Sequence, residues 1–345
     1  MPTRSARLPP YHEEVKKVIL AAPRGYCAGV DRAVQIVERA LDTLGAPVYV
    51  RKEIVHNRHV VADLEARGAI FVNSESQIPE GEVCIFSAHG VSPEVRRNAQ
   101  ARNLQVIDAT CPLVTKVHLE AKRFARSGRK IVLVGHQGHE EIEGTAGEVP
   151  DGTMVIDSVD QLAGLDLEPG EPVAYLTQTT LSVDDTLNVV RGLRERFTDL
   201  AGPHSDDICY ATQNRQVAVK AIAPDADVVL IVGAVNSSNS NRMVEVAKVA
   251  GTRAYLVPDE TCLDPRWLEG AEVVGVSSGA SAPEVLVERL LKKLAELGYG
   301  HVETKEITHE DVTFSLPPWL RPRAASGSPA ADTPVSASTE GLLDL

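Results

Sequence analysis

The sequence predicts an α/β protein built from three similar sub-domains in a pseudo-threefold arrangement around a shared centre. Short aliphatic runs alternate with amphipathic segments along most of the 345 residues, which is typical of parallel strands joined by helices. Aromatic residues make up only 4% of the chain, so the core has to be aliphatic, as in helices packed on a Val/Ile/Leu-rich sheet. The length exceeds one ordinary core and allows two or three small domains.

The predicted elements follow one another in a regular order. The first strand begins at Val18 (VILAA) and is followed by the turn PRGYCAG and a helix. In that helix apolar residues recur at three- and four-residue spacing from Val30 to Leu44, and Gly45 ends it. A further strand, VCIFSAHG, precedes a helix from about Pro93. Four later runs each precede a polar loop and a helix: IVLVGH, VAYLTQTT, VVLIVGAVNSS and VVGVSSGAS.

The loops that follow these strands show a threefold repeat of one cysteine and two polar loops. The three sets are Cys27 with His56 and His89, Cys111 with His139, Glu141 and Thr179, and Cys209 with Ser237, Ser238, Asn239 and Ser281. Loops after parallel strands gather at one sheet edge, where open α/β folds bind their ligands. Chance alignment is the alternative, because any βα protein has loops at this pitch, but the matching cysteines favour a repeat.

The repeat predicts how the chain divides into sub-domains. The tail is rich in Ala, Ser, Pro and Thr with few large apolar residues, and such a composition predicts disorder. The segment before it, DVTFSLPPWL, has enough apolar surface to dock on the body. The predicted parts are an N-terminal extension (1–17), three α/β sub-domains (18–108, 109–204 and 205–300), a docking segment (301–323) and a disordered tail (324–345).

Charge and composition exclude several classes of protein. A net charge of −13, from 35 basic and 48 acidic residues, argues against nucleic-acid binding, which depends on Lys and Arg. No apolar stretch approaches the roughly 20 residues that span a bilayer, and the N-terminus lacks the apolar region of a secretory signal. The sequence therefore predicts a cytoplasmic protein without a membrane partner. In that reducing compartment its five cysteines are expected to be thiols, ligands or catalysts rather than disulfides.

Three cysteines, Cys27, Cys111 and Cys209, lie directly before predicted helices. A helix N-terminus lowers the pKa of a thiol and favours the thiolate that metals require, so the three together indicate a metal site. The sequence has no close CxxC pair, which structural zinc sites usually show. Three thiolates can bind three irons of a cubane cluster and leave the fourth open as a Lewis acid. Buried, inert cysteines are the alternative, and it is the interpretation for Cys84, in a strand, and Cys262, in a turn.

The polar loops predict a site for a phosphate or diphosphate. Their imidazoles, hydroxyls and amides are uncharged or weakly basic donors, and helix N-terminal N–H groups add more. Ordinary helix capping is the alternative for the Ser, Thr and Asn side chains. The sequence has no Walker or GxGxxG fingerprint, so a nucleotide is not indicated. Glu141 is the exception, because a carboxylate beside a diphosphate is repulsive unless it is protonated. It is therefore the candidate general acid. The alternative is an ordinary acidic residue in the first turn of a helix.

At this point a series of motifs resembles the family of 4-hydroxy-3-methylbut-2-enyl diphosphate reductases, which act last in the non-mevalonate isoprenoid pathway. The motifs extend from about Val18 to Pro317 and read, in order, PRGYCAGVDRA, VHNRHVV, FSAHGVSPEV, DATCPLVTKVH, GHQGHEEIEGT, TQTTLSVDDT, DDICYATQNRQ, NSSNSNR and GASAPE. The resemblance implies a three-lobed α/β fold around one central [4Fe–4S] cluster. It implies that Cys27, Cys111 and Cys209 hold the cluster and that the substrate hydroxyl binds the open iron.

The resemblance also implies a reaction, a reductive dehydroxylation of (E)-4-hydroxy-3-methylbut-2-enyl diphosphate. Glu141, aided by Thr179, would deliver protons. Two electrons from ferredoxin or flavodoxin would expel water and leave an allyl anion, whose protonation gives isopentenyl or dimethylallyl diphosphate. The protein would work as a monomer or homodimer. The diphosphate would be held by His56, His89, His139, Thr179, Ser237, Ser238, Asn239 and Ser281.

The same residues allow two alternative functions. Another cluster enzyme of three sub-domains, similar to quinolinate synthase, shares the three-cysteine arrangement, but it would bind dicarboxylates through arginine forks, and these loops offer histidine, serine and asparagine instead. An iron–sulfur sensor would need a partner-binding domain, for which the polar tail is a poor candidate.

Overall fold

Residues 16–321 are described by the structure, a computed structural model, and they form thirteen strands and nine α-helices. The strands are β1 (Lys17–Ala22), β2 (Val48–Arg51), β3 (Ala69–Val72), β4 (Val83–Phe86), β5 (Gln105–Asp108), β6 (Lys130–Val134), β7 (Thr153–Ile156), β8 (Val173–Thr177), β9 (Leu200–Ala201), β10 (Val228–Val232), β11 (Arg253–Val257), β12 (Val273–Ser278) and β13 (His301–Glu306). The helices are α1 (Ala28–Leu44), α2 (Arg58–Ala66), α3 (Pro93–Ala101), α4 (Pro112–Arg126), α5 (Glu140–Ala146), α6 (Val183–Arg196), α7 (Tyr210–Ile222), α8 (Ser238–Val249) and α9 (Glu284–Glu296).

The strands form three separate parallel sheets of one plan. Two sheets have four strands, in the orders β3-β2-β4-β5 and β7-β6-β8-β9, and the third has five, in the order β11-β10-β12-β1-β13. The central pairs are β2 with β4, β6 with β8 and β10 with β12. In each sheet the strand that lies between these two in sequence (β3, β7 or β11) is at the edge, beside the first of the pair. The α/β class with three sub-domains that the sequence predicts is therefore confirmed.

Strand β1 departs from the predicted division of the chain. The sequence analysis assigns residues from 18 onward to the first sub-domain, whereas β1 lies in the third sheet, between β12 and β13. It takes the fourth position there, which β5 and β9 hold in the other sheets. Residues 301–306, predicted as part of a docking segment, are the fifth strand of that sheet. An aliphatic run predicts a buried strand, but the partner is selected by contacts distant in sequence.

Each fourth strand leads to a cysteine and then to a helix of the next unit. Helix α1, which follows Cys27, packs on the sheet of β2–β5. Helix α4, after Cys111, packs on the sheet of β6–β9, and α7, after Cys209, packs on the sheet that contains β1 and β10. Each fully buried aliphatic side chain in these cores contributes about 1.5–3 kcal/mol. The cysteines therefore lie at the three junctions between units.

The segment after β13 crosses back to the first unit. Leu316 and Leu320 pack on the core of the β2–β5 sheet, and Phe314 lines the central cavity. The predicted N-terminal extension (1–17, apart from its last two residues) and the predicted tail (324–345) lie outside the described residues. Within residues 16–321, no helix has the length and apolar character that a bilayer crossing requires.

Candidate functional site

A cavity lies where the three units meet. Its polar loops follow the two adjacent strands at which the strand order of each sheet reverses: β2 and β4, β6 and β8, and β10 and β12. Its cysteine loops follow the fourth strands, β1, β5 and β9. A crevice opens at such a reversal, because consecutive crossovers leave to opposite faces of the sheet. Every residue that the sequence predicts for the site lines this cavity: Cys27, His56, His89, Cys111, His139, Glu141, Thr179, Cys209, Ser237, Ser238, Asn239 and Ser281.

The three cavity cysteines are the N-cap residues of the helices that follow them. Cys27 caps α1, Cys111 caps α4 and Cys209 caps α7. The Cys209 Sγ accepts a hydrogen bond of 3.4 Å from a backbone N–H in the first turn of α7. The other two cysteines are elsewhere: Cys84 is buried within β4, and Cys262 is exposed at the end of a 3₁₀ turn. Neither lines the cavity.

Burial dominates the acidity of two of these thiols. It raises the pKa of Cys111 to about 12 and that of Cys209 to about 11. First-turn N–H groups lower both pKa values, by less than burial raises them. The N–H groups at the helix N-termini act in the expected direction, but desolvation of the thiolate outweighs them. A metal that binds these sulfurs would displace their protons.

The sulfurs suit an iron–sulfur cluster. Within residues 16–321, no three His, Cys, Asp or Glu side chains form the compact group that holds a single metal ion, although three thiols line one cavity. Gly29 leaves room beside them, since a Cβ there would lie 2.7 Å from the Cys111 Sγ and 3.8 Å from the Cys27 Sγ. Soft thiolate ligands select iron–sulfur clusters, so the donor set and the open space fit the group that the motifs imply.

The clearance at Gly29 can be tested by Gly29→Ala. The added methyl group would collide with the Cys111 sulfur, and we expect metal affinity to fall about 10–100-fold, as it does when groups that support metal ligands are changed. Alanine favours a helix over glycine by about 1 kcal/mol, so a weaker helix would not explain the loss. The loss of metal affinity is measured as iron and sulfide content after anaerobic reconstitution and chelator challenge. Thermal unfolding is the control for a folding defect. Wild-type iron retention in a normally folded variant would contradict the assignment.

Three histidines form one wall of the cavity. The rings of His56 and His89 stack with their centroids 4.1 Å apart, and His139 meets them edge-on at 5.3 and 5.7 Å. The Nε2 atom of His56 is buried and has no hydrogen-bond partner within the described part of the chain. A buried polar atom of this kind calls for a ligand partner.

Glu141 is held by two loops of the second unit, the one after β6 and the one after β8. It follows His139, whose Nδ1 accepts the Glu141 N–H at 3.1 Å. Its carboxyl accepts the N–H of Thr179 on Oε1 at 2.6 Å and the Thr179 hydroxyl on Oε2 at 3.0 Å. Burial raises the pKa of Glu141 to about 7, despite these two hydrogen bonds, which lower it. Near neutral pH this carboxyl can therefore hold a proton and release it.

The serine hydroxyls of the third unit line the cavity and also form hydrogen bonds within the protein. Ser237 caps α8 by accepting a backbone N–H in its first turn, so the capping interpretation holds for this residue. The Ser238 Oγ donates to the Thr180 carbonyl at 3.3 Å, and the Ser281 Oγ donates to the His56 carbonyl at 2.9 Å. These bonds tie the third unit to the other two around the cavity.

Two residues of α7 were missed by the sequence analysis. Thr212 is buried, lies 3.2 Å from the Cys209 Sγ through its Oγ1 and accepts the Asn239 amide at 3.1 Å. The Tyr210 hydroxyl accepts the N–H of Ala28 at 3.1 Å, next to Cys27. Position i+3 from an N-cap faces the capping side chain, and this rule applied to Cys209 would have found Thr212.

Two carboxylates behind the histidines were also missed. Glu53 Oε2 lies 3.0 Å from the His56 Nδ1, and Glu140 Oε2 lies 3.3 Å from the His89 Nδ1. A lone glutamate in a loop or in a first helical turn is common, so the sequence held no signal for either.

Comparisons with known proteins find one family over most of the chain. A family model described as LytB protein matches residues 18–295. The 4-hydroxy-3-methylbut-2-enyl diphosphate reductase of Nocardia farcinica is 58% identical over 310 residues, which cover 90% of this chain and 92% of that protein. The solved structure of the E-1-hydroxy-2-methyl-but-2-enyl-4-diphosphate reductase of Plasmodium falciparum matches with a TM-score of 0.86 and 36% identity, covering 89% of this chain and 97% of that one. A second structure, of the (E)-4-hydroxy-3-methyl-but-2-enyl diphosphate reductase described as the terminal enzyme of the non-mevalonate pathway, has a TM-score of 0.59 and 32% identity, covering 81% and 99%.

Proposed function

The chain belongs to the LytB protein family, and from this premise we propose that it is a 4-hydroxy-3-methylbut-2-enyl diphosphate reductase, an iron–sulfur oxidoreductase of isoprenoid biosynthesis. The substrate, two electrons and two protons give isopentenyl or dimethylallyl diphosphate and water. The allylic C–O bond breaks and one C–H bond forms. The observation that carries the proposal is that three N-cap cysteines and a set of phosphate-type donors, scattered between residues 27 and 281, line one cavity.

We assign the cofactor as one [4Fe–4S] cluster held by Cys27, Cys111 and Cys209. Three thiolates leave one iron of a cubane without a protein ligand, and the cavity offers space beside Gly29. When bound, the cluster would supply electrons and a Lewis-acidic iron. The electron donor would be a ferredoxin or a flavodoxin, and the protein would act as a monomer or homodimer.

The diphosphate would be bound by neutral and weakly basic groups. No lysine or arginine is among the described residues that line the cavity. Imidazoles, hydroxyls and amides donate to phosphate oxygens, and the following residues would do so: His56, His89, His139, Thr179, Ser237, Ser238, Asn239 and Ser281. The absence of arginine from this lining disfavours a dicarboxylate substrate of the quinolinate-synthase kind.

Glu141 would supply the proton with which the hydroxyl leaves as water. Its pKa of about 7, raised by burial, keeps an acid form available near neutral pH. Thr179 donates a hydrogen bond to each carboxyl oxygen, and these two bonds fix the orientation of the carboxyl group. The donor is thus oriented before the substrate arrives.

The three units would each contribute a cysteine and two loops to this site. We retain 18–108, 109–204 and 205–300 as these contributing units, with β1 and β13 adding to the sheet of the third. The division is supported by the cores, because the helix after each cysteine packs on the sheet of its own unit.

The proposal is tested with anaerobically purified holoenzyme and a reduced viologen dye. The dye should be oxidised only when the allylic diphosphate is added, and mass spectrometry should identify isopentenyl and dimethylallyl diphosphate as products. The alcohol without its diphosphate is the control substrate. Dye oxidation without substrate, or no product from a fully loaded cluster, would overturn the assignment.

A further inference from the structure

Each of the two stacked imidazoles has its own carboxylate on the side away from the cavity. Glu53 Oε2 lies 3.0 Å from the His56 Nδ1 and accepts the Asn236 amide at 2.8 Å. In the second pair, Glu140 Oε2 lies 3.3 Å from the His89 Nδ1, and the Ser87 hydroxyl, which also lies 3.3 Å from that nitrogen, donates to the same carboxylate oxygen at 3.4 Å. Glu53 comes from the first unit and Glu140 from the second. The histidines of one wall are therefore backed from two different units.

These contacts determine which ring nitrogen carries the proton. The hydrogen bond from His56 holds the pKa of Glu53 below its usual range. Burial would raise the pKa of Glu140, but the hydrogen bond from His89 holds it below its usual range as well. Both carboxylates are therefore ionised at neutral pH and can only accept, so Nδ1 bears the hydrogen in both rings. The Nε2 atom of the neutral ring is then an acceptor.

His139 differs from the two stacked rings in which ring nitrogen carries its hydrogen. Its Nδ1 accepts the backbone N–H of Glu141, so the hydrogen of the neutral ring is on Nε2. Burial and the two neighbouring histidines lower the pKa of His139 to about 3. It can donate to a phosphate oxygen without any further proton.

We propose that Glu53 and Glu140 are positioning residues that make binding of the diphosphate proton-coupled, because each fixes the Nδ1 hydrogen of its histidine and requires a second proton at Nε2. This inference rests on the proposed function, which supplies the diphosphate. Phosphate oxygens accept at neutral pH, so an Nε2 acceptor would repel them until it is protonated. Without lysine or arginine in the described lining, the imidazolium ions supply the positive charge. Two such ions 4.1 Å apart repel each other, and one carboxylate behind each offsets this repulsion.

The direction of the pH effect follows from His89. Burial and the neighbouring His56 lower the pKa of His89 in the unliganded protein, so the ring is neutral at neutral pH. A bound diphosphate favours the charged ring and raises this pKa. Binding therefore takes up protons, and affinity falls as pH rises through the interval between the two pKa values. The other titratable or charged groups that face this wall, directly or through its carboxylates, are Glu53, Glu140, Glu141, His56, His139, Lys52 and His136.

The test is calorimetric titration of inorganic diphosphate into holoenzyme in two buffers of different ionisation enthalpy. The wild type should take up protons on binding at pH 7.5, and Glu140→Gln and Glu53→Gln should each take up fewer. An opposite charge shifts a pKa by about 1–3 units, so affinity at this pH should fall about tenfold or more in each variant. Glu143→Gln is the matched control, because Glu143 is an exposed carboxylate of the same helix as Glu140. It should bind diphosphate with wild-type affinity and proton uptake.

The outcomes separate this inference from the proposed function. Unchanged proton uptake in both Gln variants, even with weaker binding, would mean a merely structural role and overturn the inference. Failure of the wild type to bind inorganic diphosphate, or to take up protons, would also overturn it. Proton-coupled binding without viologen-dependent turnover would leave the inference standing and overturn the proposed function. Glu53→Gln changes a loop of the first sheet rather than α5, so a folding defect in one variant leaves the other informative.

Discussion

Replacing Cys27, Cys111 or Cys209 with serine is expected to abolish turnover and most of the visible absorption of the cluster. Serine preserves the size of the side chain but replaces a soft thiolate with a hydroxyl that iron–sulfur clusters disfavour. Each of the three lies at a helix N-cap on the wall of one cavity. Loss of any one leaves two ligands from two units, which cannot surround a cubane. Iron and sulfide content, absorption and the viologen assay measure the effect.

The remaining two cysteines provide matched controls. Cys84 is fully buried in β4, so Cys84→Ala is preferable to serine, which would leave an unpartnered hydroxyl in the core. Cys262 is exposed, and Cys262→Ser is the surface control. Both variants should keep the cluster and near-normal turnover. Cluster loss in Cys84→Ala with an intact fold, or a wild-type cluster in any of the three serine variants, would contradict the ligand assignment.

Replacing Glu141 with glutamine should lower kcat by about 10²–10⁴-fold, the usual contribution of general acid catalysis. Glutamine keeps the shape and one acceptor oxygen for the Thr179 donors but has no proton to release. An interaction made only in the transition state lowers kcat and kcat/KM together and leaves KM nearly unchanged. Steady-state kinetics with a reduced dye measure both constants.

Two comparisons separate acid catalysis from helix capping by Glu141. Glu143→Gln removes a first-turn carboxylate from the same helix without touching the cavity, and it should turn over normally. The substrate-induced change in the spectrum of the cluster should persist in Glu141→Gln, because binding contacts survive. Near-wild-type turnover would return Glu141 to a structural role, and loss of the spectral change would make it a binding residue.

Much of the site was predictable because its signals are local. A strand, a polar loop and a helix start are each read within about ten residues, so the positions of Cys27, His89 and Ser237 at strand-to-helix loops followed from the sequence. Apolar residues at three- and four-residue spacing likewise predicted α1 and its end at Gly45, which the structure has as its C-cap.

The features that the sequence did not predict depend on distant contacts. The residues of β13 are all exposed or half-buried, so no apolar alternation marked them as a strand. Glu140 acquires its role only because His89 reaches it from another unit, whereas Glu53 lies three residues before His56 and carries no signal that distinguishes it from any loop glutamate. The net pKa values of the thiols also depend on the fold: proximity to a helix N-terminus is visible in the sequence, whereas the burial of Cys111 and Cys209 that outweighs it is not.

The position of β1 has a consequence for how the chain acquires its structure during translation. The strands of the β2–β5 and β6–β9 sheets are each close together in sequence, so these sheets can assemble while the ribosome is still making the rest. Strand β1 emerges before them but pairs only with residues 273–276 and 301–306. Its aliphatic side chains therefore remain exposed to solvent until nearly the whole body has been synthesised. Such long-range pairing is slow and prone to aggregation. We therefore expect nascent chains shorter than about 300 residues to engage chaperones through their N-terminal strand, and Cys27, which follows it, to be the last of the three thiols held in place.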